Sequence, residues 1–349
     1  MKKTIRIKDI ALKAGVSIGT VDRVLHNRGE VSDDTKHRIQ KIIDELDYRP
    51  NLLASSLASK KSIVFATLMP KAVSQDTYWS KPQLGVEKAM GQLKAYGVKI
   101  EQFFFEMDDS SSFLTEAEKL LLVNPDAVML APWAKREALR FTKKLDEKKI
   151  PYIFIDSTLQ ETNPIAFVAQ SSFDSGFLAA KLTDWGVKGK SLILLIHVAR
   201  ELDNANHLLQ RERGFMHYFE ENQNGHRIVK MEVSGNKGEI VGHLAELGIE
   251  PCEVDAIFVT NSKVHLAAAC FKELCTSPKI IGYDLIPQNI ALLKEGQIDF
   301  LICQKPETQG YMAIQLLFDF LVKKEKIKKE NFTSIDLITK ENLEFFSSF

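Results

Sequence analysis

"IKDIALKAGVSIGTVDRVLHNRGEVSDDTKHRI", residues 7–39, reads as three short helices around one small core. Ile7, Ile10, Ala11 and Ala14 share one face of the first. Gly15 follows where that helix must stop, because glycine enters the left-handed region without a steric penalty. Ser17 precedes the second, "IGTVDRVLHN", whose Val21, Val24 and Leu25 can pack back on the first. Ser32 stands as the cap of the third, "DDTKHRIQKIIDELDY", with Ile39, Ile42, Ile43 and Leu46 inward. A helix, a glycine turn, a second helix and a support are the helix-turn-helix plan. Plain protein-binding modules use three-helix cores too, so the pattern alone leaves both readings open.

Charge points the same way. The 349 residues carry 46 Lys/Arg and 46 Asp/Glu, yet residues 1–61 hold 13 against 8 and the remainder 33 against 38. A basic head on an acidic body implies a polyanionic partner for the head. The hydrophobic share of 45% supports a sizeable core, and the length suits two or three domains. Cys252, Cys270, Cys275 and Cys303 show no C-x-x-C spacing, so they read as reduced thiols and not as a zinc site. Charges interrupt the residues after Lys2 and Lys3. No signal peptide, membrane span or cofactor is therefore expected, and the protein is expected in the cytoplasm.

Residues 7–39, and then "YRPNLLASSLASKK" at 48–61, closely resemble in that order the headpiece and hinge of the LacI (lactose-repressor)/GalR family. The resemblance implies a DNA-binding transcription regulator, usually a repressor. Its expected plan is a helix-turn-helix domain (1–49), a hinge helix (50–60) and a two-lobed core (61–349) like the periplasmic sugar-binding proteins. A homodimer on a near-palindromic double-stranded operator is implied, as is control of carbohydrate-utilisation genes by a sugar-like effector between the lobes.

In such a head the second helix lies in the major groove with its first residues at the base edges. Here those are Ile18, Gly19 and Thr20. Ile18 offers only apolar contact, whereas Arg23, one turn on, suits bidentate guanine readout. Ser17, Thr20, Asn27, Ser32 and Thr35 are short donors suited to phosphates, though Ser32 reads equally as a cap. Asp22 stands where the family commonly has a small hydroxyl residue, so it must turn from phosphate or pair with a base such as His26. Pro50 can open a short hinge helix, marginal alone. The resemblance assigns Asn51 and Ala54 to DNA contact and Leu57 to the apolar wedge that kinks the minor groove.

From residue 62 short apolar runs alternate with amphipathic stretches: "SIVFATLMP", "VKIEQFFFE", "DAVMLAP", "PYIFID", "IAFVAQ", "SLILLIH", "RIVKMEV", "DAIFVT", "KIIGYD" and "DFLICQ". This predicts an α/β core of parallel sheets covered on both faces, with too many units for one small sheet. Two doubly wound lobes follow, with ligands beyond the carboxyl ends of the strands. There stand Asp156, Asn261, Asp284 and Gln304, with Arg211 early in a later helix. Each matches a family ligand position. Carboxylates accept hydroxyl protons, amides give and take, and arginine donates. Tyr78, Trp79 and Trp133 can cover the apolar face of a sugar ring. Singly, a strand-end Asp is often a cap and a lone Trp often core. Ser171 stands where relatives tend to carry an acid, and purine corepressors occur in the same family, which leaves the effector open.

A solute-binding protein for transport or chemotaxis would explain the core but predicts a signal peptide and no basic head. An enzyme reading lacks the phosphate-binding glycine motifs, a G-x-S-x-G elbow and any metal-ligand cluster.

Overall fold

The computed structural model describes residues 5–25, 29–46, 48, 62–74, 77–198, 206–274 and 276–346. Asn27, Asn51, Ala54 and Leu57, with the hinge helix assigned to 50–60, lie outside them, as do Lys2, His26 and Cys275. The chain divides into two compact units, one of residues 1–62 with 95–97 and one of residues 63–94 with 98–349.

The first unit is the three-helix head: α1 (Ile7–Ala14), α2 (Ile18–Leu25) and α3 (Asp33–Glu45). Ile10, Ala11, Ala14, Val21, Ile39 and Ile42 form its buried centre, with Ile7, Val24, Leu25, Ile43 and Leu46 packed around them. Gly15 ends α1 in the left-handed conformation, φ 64°. Ser32 does occupy the first position before α3, but its hydroxyl donates to Thr35 Oγ1 at 2.9 Å and caps no backbone amide. The Lys13–Glu45 ion pair ties α1 to the end of α3.

The second unit contains two six-stranded sheets. One has the order β11-β5-β4-β3-β1-β2 and the other β12-β10-β9-β8-β6-β7. The first comprises β1 (Ile63–Pro70), β2 (Val98–Phe105), β3 (Ala127–Leu130), β4 (Tyr152–Ile155), β5 (Ala166–Gln170) and β11 (Glu330–Thr333). The second comprises β6 (Leu192–Val198), β7 (Arg227–Val233), β8 (Val254–Val259), β9 (Lys279–Tyr283), β10 (Phe300–Cys303) and β12 (Asp336–Ile338). All ten apolar runs are strands, and helices α4 (Ser80–Leu93), α5 (Ser110–Leu122) and α6 (Lys135–Glu147) cover the first sheet. Strand order reverses beside β1 and beside β6, which sets a switch point in each lobe.

Three crossovers join the lobes. After β5 the chain enters α7 (Ser172–Gly186), which packs on α8 (Asn206–Asn222) of the second lobe. After β10 it returns through α9 (Pro306–Phe318), which packs on α4. The third runs from β11 into β12. This corrects the all-parallel expectation, because β12 pairs antiparallel with β10. A strand entering the second lobe from the cleft must run against strands that end at the cleft. Ser334 and Ile335 alone separate β11 from β12, too few for a reversing crossover.

The α7–α8 pair matters for the site. A Cβ on Gly176 would fall inside the Arg211 carbonyl, and one on Gly214 inside that of Phe173. Only glycine permits that backbone approach. It holds the turn of α8 carrying Arg211 against the crossover helix.

Candidate ligand cleft and nucleic-acid face

On the head, Ser17, Ile18, Gly19 and Arg23 are exposed and Thr20 is half-buried. Ile18 is 56% exposed. The Ser17 hydroxyl accepts the Thr20 amide at 3.1 Å and lies 2.9 Å from Thr20 Oγ1. The start of α2 is thereby fixed while its outward surface stays available. Asp22 is half-buried.

In the core, Asp156 and Asp284 hold corresponding places in the two lobes. Each follows its strand in the left-handed region, φ 68° and 70°. The amide of Asp156 donates to Val168 O and that of Asp284 to Ile302 O, each at 3.0 Å on the neighbouring strand. Aspartate tolerates this conformation better than most residues. Each lobe therefore presents one carboxylate from the same kind of strand-end turn.

Side chains from several elements meet these two. Tyr78 OH donates to Asp156 Oδ1 at 2.5 Å. Trp79 lies edge-on to both Tyr78 and Trp133. A pocket lined by Trp79, Trp133, Asp156, Ser157 and His207 opens there. Arg211, 1% exposed, donates through Nη1 to Thr260 O at 2.6 Å and through Nη2 to Gln304 Oε1. Its guanidinium lies 3.8 Å from the Tyr283 ring centre. Gln304 Nε2 completes the second-lobe cluster by donating to Asp284 Oδ2 at 2.8 Å. Asp284 Oδ1 and Arg211 Nε have no partner among the described residues.

Burial sets the protonation of this cleft. It pushes the Asp284 carboxyl up to about 7, against the opposing pull of Arg211 and Gln304 and with some help from Asp156. It brings His207 down to about 4, leaving the imidazole neutral. It also lifts the Tyr78 phenol well above its usual range, with the two aspartates adding to the effect.

Seven of the eight sequence-derived cleft residues thus come together in this network or pocket. Asn261 stands apart: its amide donates to Val198 O and accepts the Lys263 amide, which makes it a brace of the turn after β8. The sequence reading missed His207 and Gln309. His207 precedes Arg211 by four residues on α8, a spacing that puts both on one face. Gln309, 1% exposed, accepts the Asp156 amide and donates to Gln304 O, both at 3.0 Å. It joins the strand-end turns of the two lobes at a crossover, and no spacing rule reveals that. Gln170 supports the same crossovers by donating to Cys303 O and Ser334 O. Ser171 caps α7 and bonds Asp174 at 2.5 Å, so an acid does lie beside it, three residues on.

The family model for the bacterial regulatory proteins of the lacI family matches residues 6–51. That for the periplasmic binding protein domain matches residues 65–325. The chain is 25% identical over 334 residues to the ribose operon repressor of Lactococcus lactis subsp. lactis, covering 92% of this chain and 94% of that one. It is 26% identical over 261 residues to the HTH-type transcriptional regulator MalR of Streptococcus pneumoniae, covering 74% and 76%. A crystal structure assigned as a LacI transcriptional regulator from Bacteroides fragilis superposes with a TM-score of 0.75 at 29% identity, over 82% of this chain and 99% of that one. The glucose-galactose binding protein GanP of Geobacillus stearothermophilus, at 22% identity and a TM-score of 0.72, shares the fold, over 81% and 99%. With a helix-turn-helix in front of this two-lobed core, the chain belongs to the lacI family of bacterial regulatory proteins.

Proposed function

We propose that this protein binds a near-palindromic operator as a homodimer in the cytoplasm, and that a small sugar-like effector in its cleft sets the strength of that grip. The supporting observation is the continuous path Tyr78–Asp156–Gln309–Gln304–Asp284, which ties both lobes' ligand turns to one crossover. A ligand shifts the DNA-binding equilibrium only through unequal affinity for two protein states. Contacts shared between lobes provide that inequality, since they change whenever the lobes move.

Arg23 reads a base edge, with Ile18 beside it in apolar contact, while Ser17, Thr20 and Thr35 contact phosphate. Leu57 wedges the operator centre, as the family resemblance implies.

An enzymatic reading finds one arrangement worth weighing. His197 Nδ1 lies 2.9 Å from Thr260 Oγ1 and its Nε2 2.8 Å from Glu212 Oε2, the connectivity of a hydroxyl, base and acid. Thr260 has no exposed surface, so no substrate reaches its hydroxyl. The trio instead steadies the Thr260 carbonyl that receives Arg211.

The test is selection of duplexes from a randomised pool by the full chain, followed by anisotropy titration with and without sugars. The expected result is an enriched near-palindrome whose binding one sugar changes, the direction of change giving the sign of regulation. Failure to enrich any sequence would refute the operator claim.

A further inference from the structure

One buried side chain touches all three crossovers between the lobes. Gln170 ends β5, directly before the crossover into α7, and is 3% exposed. Its Nε2 donates to Cys303 O, the last carbonyl of β10, at 2.9 Å. The same nitrogen donates to Ser334 O, between β11 and β12, at 3.0 Å. Both amide hydrogens are thereby used, and Oε1 has no partner among the described residues. Thr333 lies opposite Gln170 in the β5–β11 register and donates its hydroxyl to Gln304 O at 3.1 Å. Gln170 and Thr333 belong to the sheet of the first lobe, whereas Cys303 and Gln304 end a strand of the second. Lys305 follows in the left-handed conformation, φ 54°, and pairs with Asp336 at the start of β12. Rotation between lobes is absorbed by a few element-terminal residues of this kind.

We propose that Gln170 is a positioning residue of the switch: its forked amide sets the resting angle between the lobes and thereby the chain's unliganded hold on DNA. The DNA half of that statement rests on the regulator reading above; the angle does not. Two carbonyl oxygens need donors here, and of the side chains this long only glutamine brings two N–H groups without a charge. Gln170 and Cys303 move with different lobes, so a rotation stretches at least one arm of the fork. A stretched arm leaves a buried carbonyl unpaired, which favours the angle at which both bonds are made. The fork also reaches the cleft. It holds the carbonyl just before Gln304, whose side chain joins Arg211 to Asp284. Gln170 itself touches none of the cleft side chains among its printed bonds, so its effect on them passes through the strand ends.

Distances between spin labels on the two lobes, measured by electron resonance on the full chain without DNA or effector, test the angle. The labels are unnatural amino acids at the exposed Leu122 and Leu247, so the cysteines stay, and excess unlabelled chain removes distances between copies. Gln170→Met keeps the length without donors, and Gln170→Glu turns acceptors toward the two carbonyls. Thr333→Val removes the neighbouring bond alone. The wild type should give one narrow distribution. Gln170→Met should broaden or shift it, Gln170→Glu more so, and Thr333→Val less. Operator affinity of unliganded Gln170→Met should differ from wild type by at least about threefold, although the head is untouched. An unchanged distribution in whichever of these variants keep a wild-type melting profile overturns the proposal. A shifted distribution with wild-type operator affinity also overturns it, since Gln170 would then hold the lobes without governing the response. Failure to select any operator is a separate result: it refutes the regulator reading and leaves the distance measurement to decide the angle.

Discussion

Replacing Asp284 by Asn isolates the strain that the ligand site places on the fold. Asp284 is 4% exposed, and burial raises its carboxyl from the ordinary 3.8 to about 7. The sign follows from proton counting. Between those values the folded chain holds a proton that the unfolded chain has released, so folding weakens as pH rises through this window. The full penalty, reached above the folded value, is roughly 4 kcal/mol at 1.36 kcal/mol per unit. Asparagine cannot ionise and removes it, while its carbonyl can still accept Gln304 Nε2.

Urea titrations of both proteins at about pH 5.5 and about pH 8 measure this. The stability advantage of Asp284→Asn should grow by about 2 kcal/mol between the two, because about half of the penalty already acts at the lower pH. His207, depressed to about 4, contributes the opposite trend at acid pH. It does so in both proteins, and the difference cancels it. The variant should be more stable and yet bind effector more weakly. An advantage that is the same at both pH values would refute the reasoning, since it would show that Asp284 does not titrate differently on folding.

Arg23→Ala should cost about 1–3 kcal/mol at one operator base pair and little on random DNA, read by anisotropy on single-substituted sites; a uniform loss reassigns Arg23 to the backbone. Gln309→Leu keeps side-chain bulk but removes the bonds to Asp156 N and Gln304 O. It should lower stability by roughly 1–3 kcal/mol, with effector affinity falling alongside, and unchanged affinity would show that the bridge does not set the turns. Arg211→Ala should leave operator binding of the unliganded chain intact and abolish its response to effector; a retained response at wild-type concentration contradicts the cleft assignment.

Legibility in the sequence tracked the range of the interaction. The head was readable almost residue by residue, because Gly15 and the apolar spacing of α1 to α3 encode contacts across a few turns. Strands β1 to β10 were readable from their apolar runs, even where, as in β3, β4 and β10, these span four residues. β11 and β12 escaped, since the edge segments "ENFT" and "DLI" carry no comparable apolar run, and with them went the antiparallel pairing. That Asp156, Asp284 and Gln304 lie together at one cleft was legible because strand ends converge there in this class of fold. Ser32 misled, because a hydroxyl before a helix encodes a cap only if no neighbouring hydroxyl takes it, as Thr35 does here. Gln309 stayed hidden, because its two bonds depend on where a crossover of the finished fold lies.

The two aspartates also explain why one site can serve both recognition and switching. Each sits in a left-handed turn, a conformation that costs of order 1–3 kcal/mol in many residues and persists only where its surroundings enforce it. The enforcement is unequal. Asp284 is held within its own lobe, by Gln304 and by the Asn289 amide on its carbonyl. Asp156 is held in its own lobe by Val168 O and Tyr78, and in addition by Gln309, whose other bond reaches Gln304 O at the end of β10. A movement between lobes therefore disturbs the Asp156 turn first and leaves Asp284 in place. On that account the second lobe is the preformed half of the site and the first lobe the responsive half. Under the proposed function, ligand contacts to Asp284 set affinity in every state, whereas those to Asp156 differ between states, and only such differences can change the hold on DNA.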